Sequence, residues 1–220
     1  MSAVTASRRA RVTAQVEALG IVAVIRLKDP AKLRALVDAI AAGGVRALEV
    51  TMTVPGAVGL IRDLAPTLPD GFLLGAGTVT DAATARAVID AGASFVVSPV
   101  FRPEVIAACH ERDVAAMPGC FSPTEILAAY ESGADIVKVF PATALGPQFI
   151  KDVRGPLPQV KLMPTGGVTL ENAGDWIRAG AVAVGLGSAL VDARAIEANR
   201  WDVITANARL VVANVGGARA

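Results

Sequence analysis

The fold of this 220-residue chain is decided by a short joint, SGADIVKVF at residues 132–140. Its glycine can take the left-handed conformation that ends a helix, and the β-branched run after it is typical of a strand buried on both faces. Three further stretches have the same form: AGGVRALEV (42–50), AGASFVVSP (91–99) and AGAVAVGLG (179–187). Each joint predicts a helix followed directly by a buried strand.

Working outward from these joints, apolar runs recur along the chain, and a longer amphipathic stretch follows each one. The predicted strands are GIVAVIR (20–26), VRALEVT (45–51), FLLGAG (72–77), SFVVSP (94–99), VAAMPG (114–119), DIVKVFP (135–141), VKLMPTGG (160–167) and VAVGLG (182–187). Strands that alternate with helices form parallel sheets. Eight such units at this length predict an α/β fold, a (β/α)8 TIM barrel with a short N-terminal helix, as a single domain over residues 1–220.

An open flavodoxin-like sheet is the alternative fold. Such a sheet usually has fewer strands and a glycine-rich dinucleotide loop after the first one. Here the first strand ends in Arg26, Leu27 and Lys28, without a glycine fingerprint. The barrel is therefore favoured, and we expect the chemistry at the carboxyl ends of the strands.

Composition and charge exclude several classes of protein. With 53% hydrophobic and 19% charged residues, the chain is expected to fold compactly. A net charge of +1 leaves no electrostatic footprint for nucleic acid. No apolar run approaches the roughly 20 residues of a membrane span. The N-terminal stretch 1–20 carries charges where a signal peptide needs an apolar segment, so we expect a cytoplasmic protein.

Few residues are suited to metal or nucleophilic chemistry. Cys109 and Cys120 form neither a disulfide framework nor a metal-ligand cluster, and the single histidine, His110, lies in the helical stretch after strand four. A metal centre or a Ser-His-Asp mechanism would need more imidazoles or carboxylates. We therefore expect no metal and no organic cofactor, and a reaction carried by amine, carboxylate and hydroxyl groups.

Lys138 is the first anomaly, since it is one of only five lysines and lies inside a strand, on the same side as Ile136 and Phe140. A buried ammonium is costly unless a carboxylate pairs with it or the amine loses its proton. A neutral amine in an apolar pocket is also what attack on a carbonyl requires. The residues alone favour a catalytic amine and a paired structural lysine about equally.

Two further charged residues lie at predicted strand ends. Glu49 alternates with Ala47 and Thr51 on the face that should point into the barrel, where it would pair with Lys138 or transfer protons. Arg26 closes strand one and is suited to bind a substrate carboxylate through two parallel hydrogen bonds. The alternative for Arg26 is a salt bridge at the rim.

Glycine turns follow three of the strands. TGGV (165–168) and GLGSA (185–189) come after strands seven and eight, where barrels bind phosphate with backbone amides at helix N-termini. A tight turn is the alternative explanation for each glycine pair. GAGT (75–78), after strand three, adds the hydroxyl of Thr78.

Taken together, the motifs resemble those of the bacterial 2-keto-3-deoxy-6-phosphogluconate (KDPG) and 4-hydroxy-2-oxoglutarate (KHG) aldolases, a class I family. They occur in family order from about residue 20 to 213: IVAVIR, GGVRALEVTMTVPGA, GAGTV, SPVF, MPGCFSPTE, KVFPA, LGPQFIK, PTGGV and GLGSAL. The resemblance implies that Lys138 forms the Schiff base and that Glu49 is the acid/base carboxylate. It implies substrate-binding positions at Arg26, Thr51, Thr78, Pro99, Phe140, Thr165, Gly166, Gly167, Gly187 and Ser188.

The resemblance also implies the reaction and the assembly. The expected activity is cleavage of KDPG, as in the Entner-Doudoroff pathway, to pyruvate and glyceraldehyde 3-phosphate, and of KHG to pyruvate and glyoxylate, in a homotrimer. Many members carry an arginine where this chain has Thr53. Other members have a threonine there and an arginine that closes strand one, as Arg26 does, so Arg26 is expected to bind the substrate carboxylate. The alternatives are a 2-keto-3-deoxy-6-phosphogalactonate aldolase, a non-aldolase phosphate-binding barrel and a structural protein.

Overall fold

A computed structural model describes residues 6–219 of the chain. The N-terminal stretch that bears on a signal peptide therefore lies partly outside the described residues, at 1–5. Among the helices of residues 6–219, none is long and apolar enough to cross a membrane.

The strands of the described residues all pair in parallel. They are β1 (Ile21–Ile25), β2 (Ala47–Thr51), β3 (Leu73–Gly77), β4 (Phe95–Val97), β5 (Ala115–Met117), β6 (Gly119–Cys120), β7 (Val137–Val139), β8 (Leu162–Pro164) and β9 (Val184–Leu186). Each predicted run contains one strand, except that the fifth is divided. Pro118 separates β5 from β6, because proline has no N–H to donate to a neighbouring strand.

The strands form two sheets. One has the order β5-β4-β3-β2-β1-β9 and the other the order β6-β7-β8. A bridge connects Thr165, directly after β8, with Gly185 in the middle of β9, and the Val182 N–H donates to the Leu162 carbonyl at 2.9 Å. The order within each sheet follows the chain without the reversal of a flavodoxin-like sheet. The α/β class is confirmed; because the continuous sheet has six strands, the closed eight-stranded barrel stays a prediction.

Helices alternate with the strands. They are α1 (Arg8–Leu19), α2 (Leu33–Ala42), α3 (Ala57–Leu64), α4 (Ala82–Asp90), α5 (Pro103–His110), α6 (Pro123–Glu131), α7 (Gly146–Arg154), α8 (Ala173–Arg178), α9 (Ala193–Glu197) and α10 (Trp201–Arg219), with single 3-10 turns at Pro30–Lys32, Ala65–Thr67 and Ala142–Ala144. Side-chain caps fix several starts: Asp81 accepts from the Thr84 N–H, and Ser122 forms a capping box with Glu125. The predicted short N-terminal helix is α1.

The buried apolar side chains form two clusters, and the smaller one positions the site. Its members are Val12, Val16, Val22, Ala47, Leu73, Phe95, Val97, Ala115, Met117, Ile136, Met163 and Ala183, so strand-borne side chains from both sheets meet there with two from α1. Side chains two residues apart on a strand share a face. Glu49 and Lys138 each lie two residues beyond a member of this cluster, towards the carboxyl ends of the strands.

Candidate active site

Lys138 occupies the middle of β7, which has a partner strand on each side. Its side chain is only 3% exposed, and its Nζ lies 3.9 Å from Oε1 of Glu49, whose side chain is 1% exposed. The Nζ also lies 5.1 Å from the ring centroid of Phe140. The structure thus brings together the two residues that the sequence singled out from separate strands.

Glu49 has an unusual environment for a buried carboxylate. Within the described residues, neither of its carboxylate oxygens has a hydrogen-bond partner. Gly77 on β3 makes room for it, since a Cβ atom at that position would overlap the carboxylate. A buried carboxylate without donors is costly in free energy. This acceptor is therefore available to a water molecule or a ligand hydroxyl.

The glycine turns after β8 and β9 line one cavity of about 120 Å³ together with Arg26. Its walls include seven of the predicted site residues: Arg26, Phe140, Thr165, Gly166, Gly167, Gly187 and Ser188. Gly166 and Gly167 have φ values of 87° and 75°, a conformation that favours glycine. The Thr165 hydroxyl is buried and has no hydrogen-bond partner among residues 6–219, so it too is available to a ligand.

The other five predicted residues lie outside the lining of this cavity: the pair Lys138 and Glu49, and also Thr51, Thr78 and Pro99. Thr51 is fully buried, and its hydroxyl lies 3.0 Å from the Ile25 carbonyl and 2.7 Å from the Thr53 hydroxyl. Thr78 follows β3 with a φ of 61°, rare for a residue with a β-branched side chain. Pro99 packs its backbone against Gly119, where a Cβ atom would overlap it.

Arg26 faces two cavities. Besides the glycine turns, it lines a larger cavity of about 430 Å³ with Lys28, Lys32 and Thr53. The amine of Lys32 donates to the Ile196 and Glu197 carbonyls at 2.8 and 3.2 Å, so α9 is tied to this wall. In residues 6–219 Arg26 is in no salt bridge, the alternative that the sequence left open.

Sequence reasoning missed two contributors to the site. Gly77 belonged to a weak glycine motif, and only the pairing of β2 with β3 places it beside Glu49. Thr53 was noted only as a departure from the family pattern, whereas the structure bonds it to Thr51. The alternation of Thr51 and Thr53 at the end of one strand was the available signal for that pair.

The groups outside the amine–carboxylate pair offer little competing chemistry. Burial raises the pKa of both the Cys109 and the Cys120 thiol to about 12, so neither is a nucleophile near neutral pH. Within the described part of the chain, no three His, Cys, Asp or Glu side chains are grouped so that they could hold a metal ion.

The site has three parts at the carboxyl ends of parallel strands. The buried amine can attack a carbonyl, and the carboxylate without donors can transfer a proton. The glycine turns can hold an anion. These are the parts of an imine-forming lyase. The family described as KDPG and KHG aldolase matches residues 12–207. The chain therefore belongs to the KDPG and KHG aldolase family.

Individual relatives agree with this assignment. The chain is 36% identical over 198 residues to a 2-dehydro-3-deoxy-phosphogluconate aldolase of Pseudoalteromonas atlantica, covering 90% of this chain and 92% of the relative. It is 35% identical to a 2-dehydro-3-deoxy-6-phosphogalactonate aldolase of Escherichia coli, covering 78% and 84%. The structure is similar to KDPG aldolase from Legionella pneumophila with pyruvate captured as a covalent carbinolamine, with a TM-score of 0.83, 34% identity and coverage of 90% and 97%.

Proposed function

We propose that this protein is a class I aldolase that cleaves KDPG to pyruvate and glyceraldehyde 3-phosphate, and KHG to pyruvate and glyoxylate. The observation that carries the proposal is the position of Lys138, buried on β7 with its Nζ 3.9 Å from Glu49. A Schiff-base mechanism needs an amine that can lose its proton and a nearby group that accepts and returns protons. The Legionella relative, with its covalent pyruvate carbinolamine, supports the same chemistry.

In the proposed reaction, the Lys138 amine attacks C2 of the substrate, and loss of water gives an iminium ion. Glu49, acting through a water molecule, removes the proton of the C4 hydroxyl. The C3–C4 bond breaks, its electron pair moves into the iminium to give an enamine, and the aldehyde leaves. Protonation of the enamine at C3 and hydrolysis of the resulting imine release pyruvate and restore the amine. These steps require no metal or organic cofactor.

The rest of the site would position the substrate. Gly166, Gly167, Gly187 and Ser188 line one cavity, and their backbone amides and the Ser188 hydroxyl would hold the phosphate. Arg26 lines the same cavity without a salt-bridge partner in residues 6–219 and would bind the carboxylate. The predicted contacts at Thr78, Pro99, Phe140 and Thr165 stay part of the proposal, and Thr51 stays part of it as a residue that acts on the substrate through its neighbours.

We also propose that the strands close into a (β/α)8 barrel as one domain. Only Pro118 separates β5 from β6, and the Thr165–Gly185 bridge lies between β8 and β9. The smaller apolar cluster, which takes side chains from both sheets, supports a ring around one interior. Eight parallel strands around such a core are the TIM-barrel arrangement.

A phosphogalactonate substrate is the second candidate, favoured by the Escherichia coli relative of that name. The two sugar acids differ in configuration at C4, which the amine–carboxylate pair does not distinguish. Pyruvate release from both epimers and from KHG, measured by coupled reduction with lactate dehydrogenase, separates these substrates. We expect KDPG to have the highest kcat/KM; a higher value for the galactonate epimer would change the substrate but keep the mechanism. Absence of cleavage of all three compounds would contradict the proposal.

A homotrimer in the cytoplasm completes the proposal. Large apolar side chains exposed on the monomer support subunit contacts: Val100, Phe121, Tyr130 and Leu210. The two free, buried cysteines are compatible with a reducing compartment. Light scattering after size-exclusion chromatography should give three times the chain mass of 22.4 kDa; a monomer would contradict the trimer.

A further inference from the structure

Thr53 lines the larger cavity. Its hydroxyl contacts that of Thr51, and the Thr51 hydroxyl donates to the Ile25 carbonyl, so a chain of hydroxyl groups leads from this cavity into the sheet. We propose that this threonine relay, Thr53 to Thr51 to Ile25, positions Arg26 for the substrate carboxylate and that neither threonine donates to the substrate. Thr51 and Thr53 are then positioning residues. The inference rests on the proposed function, because it assumes that Arg26 binds the carboxylate.

The direction of the relay follows from counting protons. Each threonine hydroxyl has one proton to donate. Thr51 Oγ1 lies 3.0 Å from the Ile25 carbonyl, which can only accept, so the Thr51 proton points there. The 2.7 Å contact between the two hydroxyls then requires Thr53 to be the donor. Both protons are used inside the protein, and none is left for a ligand.

The relay ends at the peptide from which Arg26 extends. Ile25 is the last residue of β1, and its carbonyl belongs to the peptide bond that joins it to Arg26. Thr51 is fully buried at the end of β2, the strand that pairs with β1. Fixing this carbonyl fixes the plane of the peptide, and therefore the direction in which the Arg26 side chain leaves the strand.

Arg26 needs such support because, within residues 6–219, no side-chain hydrogen bond or salt bridge holds its guanidinium group. It is exposed, lines both cavities and has no salt-bridge partner within residues 6–219. A long, free arginine loses much conformational entropy when it binds a carboxylate. Support from neighbouring groups lowers that cost, as it does for the ligands of other preorganised sites. Thr53 lines the larger cavity together with Arg26 and connects that wall to the sheet.

The test measures how much pyruvate is needed to form the borohydride-trapped adduct on Lys138. Thr51→Val removes the relay proton while keeping the shape of the side chain. We expect the half-saturating pyruvate concentration to rise about 3- to 10-fold, the effect of one net hydrogen bond, with the yield at saturation unchanged. Thr51→Ser keeps the hydroxyl and should restore the wild-type value. Trapping of acetone, which has no carboxylate, should be equally efficient in wild type and Thr51→Val.

The Arg26→Ala background makes the test specific. If Thr51 acts through Arg26, Thr51→Val should add nothing to the effect of Arg26→Ala, because coupled residues are not additive. Additive effects, or a Thr51→Val protein with the wild-type half-saturation, would overturn the inference. If Thr51→Val fails to fold, the exposed Thr53→Val takes its place, with a smaller increase expected and an unchanged half-saturation as the contrary result. A wild-type protein without any adduct contradicts the proposed function, and the relay with it.

Discussion

Two carboxylates, the buried Glu49 and the half-buried Asp135, lie near opposite ends of β7 and have opposite environments. Asp135 precedes the strand, and its Oδ2 accepts from the Ala116 N–H at 2.9 Å and lies 3.3 Å from Nε2 of His110. Its Oδ1 lies 3.4 Å from Nε of Arg9 on α1. Each oxygen of Asp135 therefore has a partner.

Glu49 is more deeply buried and has fewer partners. Its side chain is 1% exposed against 11% for Asp135, yet within residues 6–219 neither of its oxygens accepts a hydrogen bond. The Lys138 amine at 3.9 Å is too distant for a hydrogen bond. Asp135 connects α1, α5 and β5 and stabilises the fold, whereas the Glu49 oxygens are without donors in residues 6–219, as the proposed proton transfer requires. Unsatisfied buried polar groups are what a functional site retains and a structural site removes.

Removing the charge of Glu49 should have the largest effect on activity. We expect Glu49→Gln to lower kcat for KDPG cleavage by about 10²- to 10⁴-fold, the usual contribution of general acid–base catalysis. The change also removes the charge that pairs with the buried Lys138 at 3.9 Å, which destabilises the protein, so kcat is measured at a temperature where urea denaturation shows the variant to be folded. A variant within tenfold of wild type would show that Glu49 is not the acid/base group.

Gly77→Ala tests whether the free space around Glu49 matters. The new Cβ atom would overlap the Glu49 carboxylate and displace it. We expect kcat to fall about 10²-fold, as displacements of about 1 Å can produce. Gly59→Ala is the matched control, because a Cβ atom at Gly59 in α3 contacts nothing within 4 Å; it should keep full activity. Equal activities of the two variants would contradict this account of the site.

Asp135→Ala should produce the opposite pattern. Loss of the carboxylate leaves the buried Ala116 N–H without its acceptor, so we expect the free energy of unfolding to fall by about 1–3 kcal/mol. The kcat of the folded protein should not change. Urea denaturation measures the free energy of unfolding. Steady-state kinetics, at a temperature where the variant is fully folded, measures kcat. A loss of kcat without a loss of stability would mean that the two carboxylates do not differ in role.

The smallest effect concerns the cysteines, one near each carboxylate region. Cys109 adjoins His110, and Cys120 lies in β6, the strand next to Lys138. Burial raises the pKa of each thiol to about 12, so at pH 8 both are protonated. A disulfide reagent such as DTNB should label neither thiol in the native protein and both in urea. Rapid labelling of Cys120 in the native state would show that the region around Lys138 opens to solvent.

The sequence was sufficient for the parts of the site that depend on periodicity and strand ends. Alternation along the strands predicted that Lys138 and Glu49 face inward, and the structure places them 3.9 Å apart. The position of the glycine turns after the last two strands predicted that the turns share one cavity, and they do. The α/β class followed from the regular order of strands and helices. These features depend on local patterns, which a single sequence contains.

The features that sequence reasoning missed depend on contacts between distant segments. The pairing of β1 with β2 decides that Thr51 bonds to the Ile25 carbonyl. The pairing of β2 with β3 places Gly77 opposite Thr51, where the Glu49 carboxylate reaches it. The contact between Arg9 and Asp135 depends on how α1 packs against the end of the sheet. Neither register nor helix packing has a local signal, so the difference between the two carboxylates was visible only in the structure.

Formation of the Schiff base on Lys138 is tested by reducing the protein with borohydride in the presence of pyruvate and mapping the adduct by mass spectrometry. We expect one modified peptide, containing Lys138, and no adduct in Lys138→Met. The other lysines, Lys28, Lys32, Lys151 and Lys161, should remain unmodified and serve as internal controls. An adduct on one of them, or none on the wild-type protein, would contradict the assignment of the Schiff base to Lys138.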